Sequence, residues 1–131
     1  MTNTLTSQIF NLNAPYDNPF QGSGPRWLFV CSAGLLRSPT AAAVAIRHGI
    51  NARSCGSSVD CALIPINANL IAWATKIFFI NREAYSESLA VFANTGWEED
   101  LEEKGVVWSI PDQYEYMNPT LVDIIERKLF D

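Results

Sequence analysis

Residues 27–40 read Trp27-Leu28-Phe29-Val30-Cys31-Ser32-Ala33-Gly34-Leu35-Leu36-Arg37-Ser38-Pro39-Thr40. The continuous apolar run from Trp27 to Val30 abuts a turn-like segment, which predicts a short strand buried on both faces of a parallel sheet. Such a strand delivers Cys31 to the C-terminal edge of the sheet. Ser38-Pro39 reads as an N-cap followed by proline at the first helical position, opening the alanine-rich helix from Ala41 to Arg47. The order is strand, loop, helix, with a cysteine and an arginine bracketing five residues of loop.

Working outward, Asn51 to Cys55 reads as a second short strand, and Pro65 to Trp73 as a helix with Ile66, Leu70 and Trp73 at helical spacing. Ile77-Phe78-Phe79-Ile80 predicts another buried strand. Arg82 to Asn94 and Trp97 to Lys104 read as helices, Gly105 stops the latter, and Val106 to Ile110 forms a last strand. Asn118-Pro119 caps a final helix with Leu121, Ile125 and Leu129 on one face. Strands alternating with helices imply right-handed crossovers and an α/β three-layer sandwich, with ligands held at the C-terminal strand ends. Residues 1–24 are rich in Asn, Thr, Ser, Gly and Pro and read as an irregular arm, which Phe10, Tyr16 and Phe20 could pin to the body formed by residues 25–131.

A chain of 131 residues, 48% apolar, is a one-domain length. Its net charge of -5 argues against nucleic acid as a partner, because binding to a phosphate backbone needs a basic surface. The N-terminus lacks a charged start followed by an apolar run, and no apolar stretch is long enough to span a bilayer. A cytoplasmic protein without membrane partners is therefore expected. Cys31, Cys55 and Cys61 are odd in number and lack paired zinc-ligand spacing, and the single His48 adds no ligand set, so no metal and no cofactor are expected. In a reducing compartment all three are thiols, and one is free to act as a nucleophile.

Context selects Cys31. A loop of five residues between Cys31 and Arg37 can curl the backbone N–H groups of Ser32, Ala33, Gly34, Leu35, Leu36, Arg37 and Ser38 around one tetrahedral anion, with the following helix adding its positive end. Arg37 supplies a planar fork for two phosphate oxygens. The same field favours the thiolate of Cys31, and Ser38 is placed to donate a hydroxyl hydrogen bond to its sulfur. The bland alternative for Cys31 is a small buried hydrophobe at a strand end.

The segment resembles the signature of the low-molecular-weight protein tyrosine phosphatases, Cys-x5-Arg-Ser-Pro near the N-terminus, and the resemblance extends over residues 26–131. Arg53-Ser54-Cys55-Gly56-Ser57 is similar to the family's Ser-Ala-Gly-Thr-type turn. The stretch Ile110-Pro111-Asp112-Gln113-Tyr114-Glu115-Tyr116-Met117-Asn118-Pro119 is similar to the ending of a short bacterial branch. The resemblance implies a four-stranded parallel sheet with helices on both faces. It also implies a phosphocysteine mechanism on phosphotyrosine proteins or small aryl phosphates. Relatives carry asparagine at the position of Gly34, in a left-handed conformation braced by a serine matching Ser54; glycine supplies the conformation without the side-chain bond. Leu36 replaces the second loop cysteine of many relatives, whose disulfide with the nucleophile cannot form here.

Such chemistry needs an acid for the leaving oxygen and a base for water. Asp112 is the candidate, in a turn opened by Pro111 after a predicted strand, and it aligns with the aspartate of the family's Asp-Pro-Tyr-type loop; a merely turn-forming aspartate is the alternative. Tyr114 and Tyr116 could form an aromatic wall for a phosphoaryl ring, or pack into the core. Asn118 stands where short-branch relatives show aspartate and is expected to cap the last helix. Two rival functions stay open. One is an arsenate reductase-like thiol enzyme, which needs two further thiols on a mobile segment. The other is a non-catalytic phosphate-binding module or a small-metabolite phosphatase.

Overall fold

The computed structural model describes residues 24–34 and 36–131, so the arm read over residues 1–24, apart from Gly24, and the loop residue Leu35 lie outside the described residues. Four parallel strands form one sheet: β1 (Arg26–Cys31), β2 (Asn51–Gly56), β3 (Lys76–Phe79) and β4 (Gly105–Val107), in the spatial order β2-β1-β3-β4. The helices are α1 (Arg37–Arg47), α2 (Ala68–Trp73), α3 (Arg82–Val91), α4 (Trp97–Lys104) and α5 (Pro119–Phe130). The expected α/β three-layer sandwich is the fold observed.

Alternation along the buried strands sends side chains to two separate cores. Leu28, Val30, Ile77 and Phe79 meet Leu70, Ile71 and Trp73 of α2, Ala84 of α3 and Leu101 of α4. Phe29, Phe78 and Ile80 meet Ala41, Val44 and Ala45 of α1 and Leu121 and Ile125 of α5. Phe29 and Phe78, neighbours on β1 and β3, stack with ring centroids 5.0 Å apart. The small residues of α1 let that helix lie close on the sheet, which sets the first turn of α1 directly beside the end of β1.

Because all four strands run the same way, their C-terminal ends share one edge, with Cys31 beside Gly56 and Val30 beside Phe79. The chain moves from β1 to one side for β2 and to the other for β3, so the crevice at the end of β1 is a topological switch point, where doubly wound sheets hold ligands. Beyond β4 the chain keeps bonding to the sheet, Trp108 N–H to the Phe79 carbonyl at 2.8 Å and Ile110 N–H to the Ile80 carbonyl at 3.0 Å. That continuation leads Pro111 and Asp112 to the same edge.

Several boundaries differ from the sequence reading. The second helix begins at Ala68 because the Asn67 side chain accepts from Leu70 N–H and caps it, leaving Pro65 in a bridge with Gly56. The third ends at Val91, three residues short of Asn94, whose φ of 63° is left-handed. Gly105 both ends α4 and starts β4. Asn118 caps α5, accepting from Thr120 and Leu121 N–H, as expected.

Candidate active site

The N-terminus of α1 differs from its expected form in a way that matters. The capping position is Leu36, without a side-chain cap, and Ser38 lies inside the first turn. The Leu36 carbonyl accepts the first helical bond from Thr40 N–H at 3.3 Å and a second from Thr40 Oγ1 at 2.7 Å. Ser38 does not cap the helix, and its hydroxyl is committed elsewhere. Its Oγ stands 3.1 Å from Cys31 Sγ and 3.3 Å from the Cys55 carbonyl. A hydroxyl has one proton to give. While Cys31 is a thiol it can donate to Ser38, which then donates to Cys55. Once Cys31 is a thiolate, Ser38 can turn its proton to the sulfur.

Ser38 is fully buried and Cys31 is 2% exposed, at the floor of a cleft of about 380 Å³. The cleft is lined by Cys31, Ser32, Ala33, Leu36, Arg37, Ser58, Cys61 and Asp112. Arg37 is 5% exposed; its Nη1 donates to the Ile110 carbonyl at 2.9 Å, and its Nε lies 3.6 Å from Asp112 Oδ1. A thiol and a guanidinium from the two ends of one loop and a carboxylate from the distant turn after β4 thus open into one space.

Backbone bonds shape the loop. The Cys31 carbonyl accepts from Ser57 N–H at 2.9 Å and the Ser32 carbonyl from Ser58 N–H at 2.8 Å. With both carbonyls turned toward that segment, the N–H groups in the same peptide planes face the opposite way. Gly34 has φ +73°, and a Cβ there would meet the backbone of Cys55 and Gly56 at 2.9 Å. A Cβ on Gly56 would in turn meet the Ser32 carbonyl oxygen at 2.8 Å. The loop is packed backbone to backbone against the end of β2.

Of the expected residues, Cys31, Ser32, Ala33, Leu36, Arg37 and Asp112 meet at the cleft, with Gly34 and Ser38 supporting them. Ser54 lies in β2 opposite Phe29, and contact with the loop is made by Cys55, Gly56 and Ser57 instead. Tyr114 packs against the core beneath α1 and α5, and neither it nor the exposed Tyr116 lines the cleft, so the aromatic wall is not formed. Ser57, Ser58 and Cys61 were not singled out as part of the site. Parallel pairing of β1 with β2 is the signal that points to them, since it sets the loop after β2 beside the loop after β1. Burial pushes the Cys55 thiol pKa up, with the nearby Cys31 adding to the effect. Among the described residues no cluster of three or more His, Cys, Asp or Glu could hold a metal ion, and no helix is long and apolar enough to cross a membrane.

No protein-family model matches the sequence, and no curated protein matches it. Solved structures do. The chain is similar to the low molecular weight protein tyrosine phosphatase from Streptococcus pyogenes, with TM-score 0.61, 13% identity, and 82% of this chain and 95% of that chain covered. It is also similar to the tyrosine phosphatase Wzb from Escherichia coli, with TM-score 0.61, 13% identity and coverage of 79% and 91%. The arginine phosphatase YwlE from Geobacillus stearothermophilus matches with TM-score 0.58, 18% identity and coverage of 81% and 86%. The chain has the low-molecular-weight phosphatase fold. On this low-molecular-weight phosphatase fold, the cleft at the end of β1 is walled by Leu36, Ser58 and Cys61, and among the described residues no aromatic side chain lines it.

Proposed function

We propose that this protein hydrolyses phosphate monoesters through a phosphocysteine intermediate on Cys31, with protein phosphotyrosine or a small aryl phosphate as substrate. The observation that carries the reading is the meeting of Cys31, Arg37 and Asp112 on one cleft at the switch point of the sheet. The fold adds support, since its solved examples include phosphatases named for tyrosine and for arginine.

In the first step the Cys31 thiolate attacks phosphorus, a sulfur–phosphorus bond forms, and the ester phosphorus–oxygen bond breaks. Asp112 gives its proton to the departing oxygen. Arg37 and the loop N–H groups hold the equatorial oxygens as charge spreads over them. In the second step water attacks phosphocysteine, Asp112 takes its proton, and the sulfur departs as a thiolate held by Ser38. Depth favours a long substrate arm, because the sulfur lies at the floor of the cleft. The arsenate reductase-like alternative needs a relay of two further thiols, and Cys55 is buried within β2.

Turnover of p-nitrophenyl phosphate, abolished by Cys31→Ser, tests the reaction; binding of phosphate without turnover would leave only a binding module. A panel of phosphotyrosine peptides, phosphoarginine peptides and phosphorylated metabolites tests the substrate. Preference for a metabolite would overturn the aryl assignment.

A further inference from the structure

Glu87 lies on α3, remote in sequence from every residue of the cleft. Its Oε1 accepts two hydroxyl hydrogen bonds, from Ser32 Oγ at 2.8 Å and from Ser57 Oγ at 2.6 Å. Ser32 belongs to the loop after β1, and Ser57 follows β2. One carboxylate oxygen therefore ties two loops, across 55 and 30 residues of sequence. Both distances lie within the range of well-formed O–H···O hydrogen bonds. The base of the tie is firm, since Ala84 and Ser88, one turn before Glu87 and one residue after it, are fully buried, and Ser88 Oγ donates to the Ala84 carbonyl at 2.8 Å.

The tie closes a ring. Ser57 is bonded through its N–H to the Cys31 carbonyl and through its hydroxyl to Glu87, while Ser32 is bonded through its carbonyl to Ser58 N–H and through its hydroxyl to Glu87. These contacts fix the two peptide planes that follow the Cys31 and Ser32 α-carbons. Their carbonyls face the β2 loop, so the N–H groups of Ser32 and Ala33 must face away from it. Ser57 is 1% exposed, and its hydroxyl needs a buried acceptor to stay in place.

We propose that Glu87 is a positioning residue for the oxyanion-binding loop, holding Ser32 and Ser57 so that the loop N–H groups are set for the transition state before substrate arrives. It acts through its length and its two accepted bonds, not through its charge. A carboxylate beside an oxyanion site opposes anion binding, so its presence there is understandable only if the geometry it enforces outweighs that repulsion. The inference rests on the phosphatase reading above.

Two variants separate reach from charge. Glu87→Gln keeps an oxygen at the same distance, with lone pairs for two donors, and loses the charge. Glu87→Asp keeps the charge and withdraws the oxygen by one methylene. With p-nitrophenyl phosphate, Glu87→Asp is expected to lower kcat by about 10-fold or more with little change in KM, and to weaken vanadate inhibition by a similar factor. Glu87→Gln is expected to recover most of that loss. A merely structural role would lower the melting temperature of Glu87→Asp while leaving kcat and vanadate inhibition unchanged below it, and that result overturns the proposal. So does the reverse order, with Asp active and Gln impaired. If Glu87→Asp does not fold, Ser32→Ala and Ser57→Ala remove the two bonds one at a time, and unchanged kcat in both overturns it equally. A native protein with no turnover of p-nitrophenyl phosphate refutes the phosphatase reading itself, whereas an active native protein with equally active variants refutes only the role of Glu87.

Discussion

Arg37 and Asp112 face each other across the mouth of the cleft, Nε 3.6 Å from Oδ1, with the guanidinium 5% exposed and the carboxylate 74% exposed. The pair is unequal by design. Arg37 is held from below by the Ile110 carbonyl, two residues before Asp112, so its position and that of the acid-bearing turn are set together. An ion pair with one partner in water is weak, and Asp112 remains available to a substrate oxygen.

Arg37→Lys retains the charge and loses the fork. The expected outcome is a fall in kcat of about 10²–10³-fold, the range for removing a transition-state oxyanion donor, with a far smaller change in stability. Steady-state kinetics beside thermal unfolding checks both; unchanged turnover would show that Arg37 does not clamp the phosphoryl group.

Asp112→Asn is expected to slow turnover by about 10²–10⁴-fold, the span for a positioned general acid. Nitrophenolate departs without a proton and the phenolate of tyrosine does not, so the burst phase that phosphorylates Cys31 suffers most with the poorer leaving group. Equal burst rates for native and variant protein on both substrates would remove Asp112 from this role.

Ser38→Ala deletes the hydroxyl 3.1 Å from Cys31 Sγ. A hydrogen bond to a charged group contributes about 1.5–3 kcal/mol, which corresponds to roughly 10- to 100-fold. Iodoacetamide modification of Cys31 and release of phosphate from phosphocysteine are both expected to slow by that order. In the native protein vanadate should protect Cys31, the exposed Cys61 should react readily, and the buried Cys55 should stay unmodified until unfolding. Mass mapping of the three sites decides, and equal reactivity untouched by vanadate counts against the loop.

Cys55 links stability to alkaline pH. Its pKa is raised from the ordinary value of 9.0 by burial and by the neighbouring Cys31, so the folded protein keeps a proton that the unfolded chain releases. Stability from this group is complete below pH 9 and declines as pH rises above it, by about 1–2 kcal/mol between roughly pH 8 and 10. Urea unfolding of native protein and Cys55→Ala across that window should show the decline in the first and a flatter profile in the second. Parallel profiles would contradict the assignment.

Local order along the chain is legible in residues alone. The apolar run before Cys31, the five-residue spacing to Arg37, and the Asn118-Pro119 helix start each act over a few neighbouring residues, so their consequences survive whatever the rest of the chain does. Asp112 was legible for a related reason: a strand followed by proline ends its pairing at the sheet edge. The partners of the loop were not legible. Ser57, Ser58 and Glu87 reach Cys31 and Ser32, and Cys61 reaches their cleft, only because β2 pairs with β1 in the register Cys31 to Gly56 and because α3 packs beside them. Tyr114 turned inward for the same kind of reason, since α1 and α5 leave an apolar surface there that a ring can cover. Ser38 gave up its cap because a buried sulfur and a buried carbonyl lay within reach of one hydroxyl. Short-range spacing decides what each segment can become, whereas strand order and register decide which distant side chains must satisfy one another, because buried polar groups take the nearest partner that the assembled fold supplies.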